Sequence, residues 1–197
     1  MSSEKTLFEQ QIISVRNLTS MYQYLINNAP TMDASLLLRS EYVLIVSAFD
    51  SYLHSIVRRK IRENFFASQF LPSNLNLPIS DYLLIHNESD ISTKKQLLDV
   101  ALRKCLEKDS YQSPISVEYA LNLINIRSIW KASTSTFGDT ADNIRRRLAL
   151  IVQRRNQIAH ESDIDPTGVQ RNITQQTVDD CREFFDKFVS VIDTLII

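Results

Sequence analysis

The 197-residue sequence predicts an all-α fold, an up-down bundle of five to six helices with an irregular insertion near residues 65–90. Three observations predict it. Glycine occurs only at Gly138 and Gly168, whereas β-hairpin turns and phosphate-cradling loops both rely on glycine for positive φ. Apolar residues recur at alternating steps of three and four, the period of an amphipathic helix. The breaks between these stretches hold Pro, Asn, Asp and Ser, which start and stop helices. Hydrophobic residues at 44% and charged residues at 23% fit an ordinary globular chain. A chain of this length buries enough surface to fold as one domain, residues 1–197, without disulfides or a structural metal.

A first helix is predicted from Lys5 to Asn27, with Leu7, Ile12, Ile13, Val15, Leu18, Met21, Leu25 and Ile26 on its apolar face. Asn28, Pro30 and Asp33 end it. The second, long helix runs from Ala34 to about Asn64 on the stripe Leu38, Tyr42, Ile45, Phe49, Leu53 and Ile56. Pro72 and Pro78 break up residues 65–90, although Phe65, Phe66, Phe70, Leu71, Tyr82, Leu83 and Leu84 predict that this segment packs. Ser92 is read as the N-cap of a helix reaching Glu107. Another helix is expected from Ser116 to Lys131, followed by a polar link over Ser133–Thr136 and a break at Gly138. A fifth helix spans Thr140 to His160, and Asp163, Asp165 and Pro166 end it. The last runs from Thr174 to Leu195 and is expected to bury Val178, Cys181, Phe185, Phe188, Ile192 and Leu195.

The formal net charge of −1 does not mark a nucleic-acid binder. Any attraction for phosphate has to come from the local clusters Arg58-Arg59-Lys60 with Arg62, Arg145-Arg146-Arg147, and Arg154-Arg155. Cys105 and Cys181 match no metal spacing and read as free thiols. No cofactor motif and no metal-ligand set is visible. The segment MSSEKTLFEQQ lacks the apolar core of a signal peptide, and no apolar run reaches the ~18 residues of a membrane span. A cytoplasmic location away from membranes is expected.

The residues that break the pattern lie on the fifth helix. At ~100° per residue, with Ile144 at zero, Leu148, Ile151 and Ile158 fall within about 40° of one line. Arg155 falls at about 20°, inside that apolar stripe. An unpaired buried charge costs several kcal/mol, so Arg155 must be paired or reach solvent. Such a local violation marks a functional or strained site. Asn156 and His160 stack one turn apart at the stripe's edge. A five-residue separation turns about 140°, so Arg155 must reach round to His160 or meet it across a partner chain. On the second helix, Asp50 and His54 sit at i and i+4, and Asp50 can pair with Arg155 or orient a histidine. The competing reading makes His160 a helix cap and Arg155 a structural ion-pair partner of Asp50 within a plain interaction bundle.

The segment Arg154-Arg155-Asn156-Gln157-Ile158-Ala159-His160 resembles the signature of the HEPN superfamily, an arginine followed four to six residues later by a histidine near a helix end. Downstream, a short acidic loop leads to Arg171-Asn172-Ile173-Thr174, and upstream Ala48-Phe49-Asp50-Ser51-Tyr52-Leu53-His54 resembles the RiboL-PSP-type branch, with Trp130 also compatible. The resemblance runs from about Ala34 to the end of the chain. It implies a HEPN-like bundle and a metal-independent RNA endonuclease that acts as a homodimer, with both copies of the motif in one cleft. Arg155, Asn156 and His160 would be catalytic, Asp50 and His54 supporting, and Arg145, Arg146 and Arg154 RNA-binding. It further implies a toxin or defence effector with an antitoxin or sensor partner. HEPN-like domains also serve as non-catalytic modules that bind RNA, nucleotides or proteins, and that alternative stays open at this point.

Overall fold

A computed structural model of the chain describes residues 1–68 and 70–196. Among them are nine helices and no strand: α1 (Ser3–Val15), α2 (Asn17–Asn28), α3 (Ser35–Ser68), α4 (Ile79–Asn87), α5 (Ile91–Leu106), α6 (Pro114–Asn122), α7 (Ile129–Phe137), α8 (Ala141–His160) and α9 (Gln175–Ile196). The all-α expectation holds, and the helix count rises for local reasons. The first predicted helix is interrupted at Arg16. The fourth stops at Asn122, where Asn125 takes a left-handed conformation (φ 65°) that asparagine tolerates better than most residues. The supposed polar link at Ser133–Thr136 lies inside α7, because the Ser133 and Thr134 hydroxyls bond back to the carbonyls of Ile129 and Lys131, both at 2.8 Å. Helices also claim much of the 65–90 insertion: α3 continues to Ser68 and α4 opens at Ile79.

The chain condenses into two compact units, Met1–Tyr52 with Gln112–Pro114 and Ser128–Ile197, and Leu53–Tyr111 with Ile115–Arg127. The boundary falls inside α3, so no linker in the sequence marks it.

In the first unit, α3 buries Leu38, Tyr42, Ile45 and Phe49, α8 buries Ile144, Leu148 and Ile151, and α9 buries Val178, Cys181, Phe184, Phe185, Phe188 and Ile192. Phe49 lies 4.5 Å from Phe185, and Trp130 stacks on Phe188 at 5.4 Å. Each of the buried rings of Phe49, Phe185 and Phe188 contributes on the order of 2 kcal/mol of hydrophobic stabilisation. Leu195, expected in this core, is 45% exposed; Ile196 is buried instead. On α1 only Phe8 and Ile12 are buried; of the broad apolar face of the first predicted helix, Val15, Leu18 and Leu25 are half-buried and Leu7, Ile13, Met21 and Ile26 are exposed, so that face is used only in part. The buried carboxylate of Glu41 accepts from Thr19 Oγ1 and from Arg182 Nη2 at 2.5 Å, tying α2 and α9 to α3.

In the second unit, α5 buries Leu98, Ala101, Leu102 and Leu106. Its N-cap is Asp90, which accepts from Thr93 N at 2.7 Å, and not Ser92. From the insertion, Phe65, Leu75 and Ile85 are buried, whereas Phe70, Leu83 and Leu84 are exposed. The basic cluster at 58–62 is largely neutralised locally. Arg59 and Lys60 pair with Glu63 at 2.7 and 3.3 Å, and Arg58 and Arg62 lie 3.9 and 3.5 Å from Asp99. No helix among the described residues is long and apolar enough to cross a membrane.

Candidate active site

Helix α8 opens on Thr140, whose side chain accepts from Asn143 N, and carries Ile144, Leu148 and Ile151 into the core of the first unit. This fixes the rotation of the helix. Its last two turns then present Arg155 half-buried, with Asn156 and His160 exposed. Arg155 Nη1 donates to Asn156 Oδ1 at 3.1 Å and lies 3.5 Å from His160 Nε2. The long side chain therefore reaches round the ~140° between the two positions within one chain. That angle gives no reason by itself for a second chain to complete the pair.

A guanidinium donates and does not accept. The approach of Arg155 Nη1 therefore presents a hydrogen to the lone pair of His160 Nε2, leaving the ring hydrogen on Nδ1 in the neutral imidazole. Arg155 Nε is buried and has no hydrogen-bond partner among the described residues. Together these groups place a fixed cation, a proton acceptor and an amide at the open end of a helix.

The carboxylate that holds this helix end is not the one the sequence suggested. Among the described residues no ion pair or hydrogen bond joins Arg155 to Asp50, whose side chain accepts instead from Gln112 Nε2 at 3.2 Å. His54 belongs to the second unit, where its ring stacks on buried Tyr111 at 4.4 Å. Asp163 takes the structural role. Its fully buried carboxylate accepts from Arg39 Nε at 2.7 Å, from Arg154 Nη2 at 2.9 Å and from Arg154 Nη1. Arg39 also donates to Ser35 Oγ and to the Arg171 carbonyl, both at 2.6 Å, and Arg154 to the Asn172 carbonyl at 3.0 Å. Arg154 is thus committed to its own fold and is not a free phosphate ligand.

Two consecutive residues, Ser162 (φ 52°) and Asp163 (φ 59°), adopt left-handed backbone, at a cost on the order of 1–2 kcal/mol each. The Gln157 carbonyl receives both the Glu161 and the Asp163 amides, at 3.1 and 3.0 Å, and Arg171 N returns to Asp163 O at 2.8 Å. This turn is what stops α8 directly after His160. Sequence reasoning missed Arg39 and the carboxylate role of Asp163, because the partners are 124 residues apart and no local spacing links them.

The other basic residues divide. Arg145 and Arg146 are exposed on α8, and Arg146 lies about 14 Å along the helix axis from Arg155. Arg147 donates to Asp180 O at 3.4 Å and lies over the Phe184 ring at 5.5 Å. Beside the motif runs an apolar groove of about 630 Å³, walled by Leu36, Val43, Leu44, Ile158 and Ala159. Burial pushes the Cys181 thiol up to about 12 and raises Tyr42 above the ordinary tyrosine range, so neither is ready to ionise near neutral pH. No group of three or more potential metal ligands occurs among the described residues.

Neither the comparison with curated proteins nor that with solved structures returns a match. A model of the RiboL-PSP-HEPN family matches residues 11–197, running through both units and the whole of α8. The chain therefore belongs to the RiboL-PSP-HEPN family.

Proposed function

We propose that this protein is a metal-independent endoribonuclease whose site is built from Arg155, Asn156 and His160. The observation that carries the reading is the 3.5 Å approach of Arg155 Nη1 to His160 Nε2 at the exposed end of α8. RNA supplies its own nucleophile, the 2′-hydroxyl, which attacks the adjacent phosphorus as the P–O5′ bond breaks. The products carry a 2′,3′-cyclic phosphate and a 5′-hydroxyl. When Arg155 Nη1 turns from His160 Nε2 to the phosphate, the freed Nε2 lone pair accepts the 2′-hydroxyl proton, and a protonated imidazole gives a proton to the leaving 5′-oxygen. Arg155, whose Nε has no partner among the described residues, neutralises charge on the non-bridging oxygens through its planar fork. Asn156 holds the Arg155 fork in register through its 3.1 Å contact.

A homodimer fits this reading. The apolar groove beside the motif leaves Leu36 68% and Leu44 45% exposed, a surface suited to covering by a second copy. The partner's motif would then supply a second histidine to act as the acid. Arg145 and Arg146, exposed on α8, would contact a phosphate backbone in this reading. A toxin or defence role, with a neutralising antitoxin or a sensor, belongs to the same proposal.

The test is cleavage of mixed cellular RNA in EDTA. Wild type should cut, and His160→Ala should lose about 10²–10⁴-fold in rate. Activity that survives His160→Ala, or that requires Mg²⁺, contradicts the mechanism. Tight RNA or nucleotide binding without cleavage supports the binding-module alternative.

A further inference from the structure

We infer that Asp163, clamped by Arg39 and Arg154, is a positioning residue that sets the orientation of His160; its catalytic consequence rests on the ribonuclease reading above. Asp163 is fully buried, yet it sits only three residues beyond an exposed histidine. Its carboxylate gathers the start of α3 through Arg39, the penultimate turn of α8 through Arg154, and, through those same guanidiniums, the carbonyls of Arg171 and Asn172. Both candidate catalytic residues hang from this knot. Arg155 is the chain neighbour of Arg154, and His160 precedes the turn that the Asp163 amide closes onto Gln157 O.

The chemistry requires a carboxylate here. Two guanidiniums converge on one small acceptor from different elements, and only an ionised carboxylate offers enough lone pairs and charge for both. The left-handed backbone at Ser162 and Asp163 is closed by the Asp163 and Ile164 amides on Gln157 O and Glu161 O, at 3.0 and 3.1 Å, and the clamped carboxylate anchors that turn to α3 and α8. If the carboxylate is weakened, the turn is free to relax. The His160 ring then loses its place 3.5 Å from Arg155, even though neither Asp163 nor Arg39 need touch RNA.

The experiment compares wild type with Asp163→Asn, which keeps the shape and removes the charge, and with Arg39→Lys, which keeps the charge and loses the fork. The chain has three histidines, so the ring ¹⁵N resonances of His54, His86 and His160 can be assigned by substitution. In wild type the neutral His160 ring should show Nδ1–H with Nε2 as acceptor. In Asp163→Asn its resonances should move toward those of a freely exchanging imidazole while His54 and His86 stay put, and kcat should fall about 10²-fold with KM little changed. Arg39→Lys should give the same signature at smaller size, and it decides the matter if Asp163→Asn does not fold. Folded variants with wild-type His160 resonances overturn the proposal, as does an equal movement of all three histidines. The resonances report on positioning even if wild type cuts no RNA, so failure of the ribonuclease reading is distinguishable from failure of this one.

Discussion

Two neighbouring arginines carry opposite burdens. Arg154 is 17% exposed at its side chain and spends its guanidinium on buried Asp163 and the Asn172 carbonyl. Arg155 has no carboxylate partner among the described residues and faces Asn156 and His160. Their alanine variants should therefore separate. Arg154→Ala leaves a buried carboxylate short of charge and should cost about 3–5 kcal/mol in urea denaturation. Arg155→Ala should cost no more than about 1 kcal/mol yet lose most ribonuclease activity, and Arg155→Lys should restore little because an ammonium cannot reproduce the fork. Equal destabilisation by the two substitutions would make Arg155 a structural ion-pair residue. The position of Arg155 within an apolar stripe was legible from spacing. Which carboxylate serves which arginine was not, since Asp163 meets Arg39 across 124 residues.

At the scale of elements, periodicity located the helices that matter most. The stripe from Leu38 to Ile56 is buried along α3 as predicted, and α8 runs from Ala141, with the expected first residue Thr140 as its N-cap, to the expected end at His160. The misreadings cluster where a single residue decides. Arg16 interrupts a helix without leaving the helical region (φ −58°, ψ −19°), so nothing in its chemistry announces a break. Asn125 turns the chain by going left-handed, an option asparagine has but does not always take. The hydroxyl-rich stretch in α7 looked like a linker because hydroxyls bonded to their own helix carbonyls cannot be told apart in sequence from hydroxyls facing water. Gly138 was legible as a break, and it caps α7 at φ 62° with its amide on Thr134 O at 2.9 Å. A Cβ there would meet nothing within 4 Å, so Gly138→Ala should cost only the backbone penalty, about 1 kcal/mol in a denaturant melt. A much larger loss would mean that the α7–α8 junction is packed more tightly than this geometry shows.

For the molecule as a whole, charge is informative only once it is placed. The formal net charge of −1 conceals basic residues with different fates. Those at 58–62 are met by Glu63 and Asp99, Arg147 and Arg154 serve packing, and Arg145 and Arg146 stay exposed on the helix that ends in His160. Family membership places the chain among HEPN domains, and the proposed chemistry rests on the motif end of α8. The most direct measurement of the proposed chemistry incubates an RNA oligonucleotide with the protein in EDTA and compares it with the same strand carrying one 2′-deoxy sugar at the expected scissile position. The account predicts cleavage of the first to a 2′,3′-cyclic phosphate and a 5′-hydroxyl, and no cleavage of the second at that position. Cutting at the deoxy position, or products with a 5′-phosphate, would contradict it.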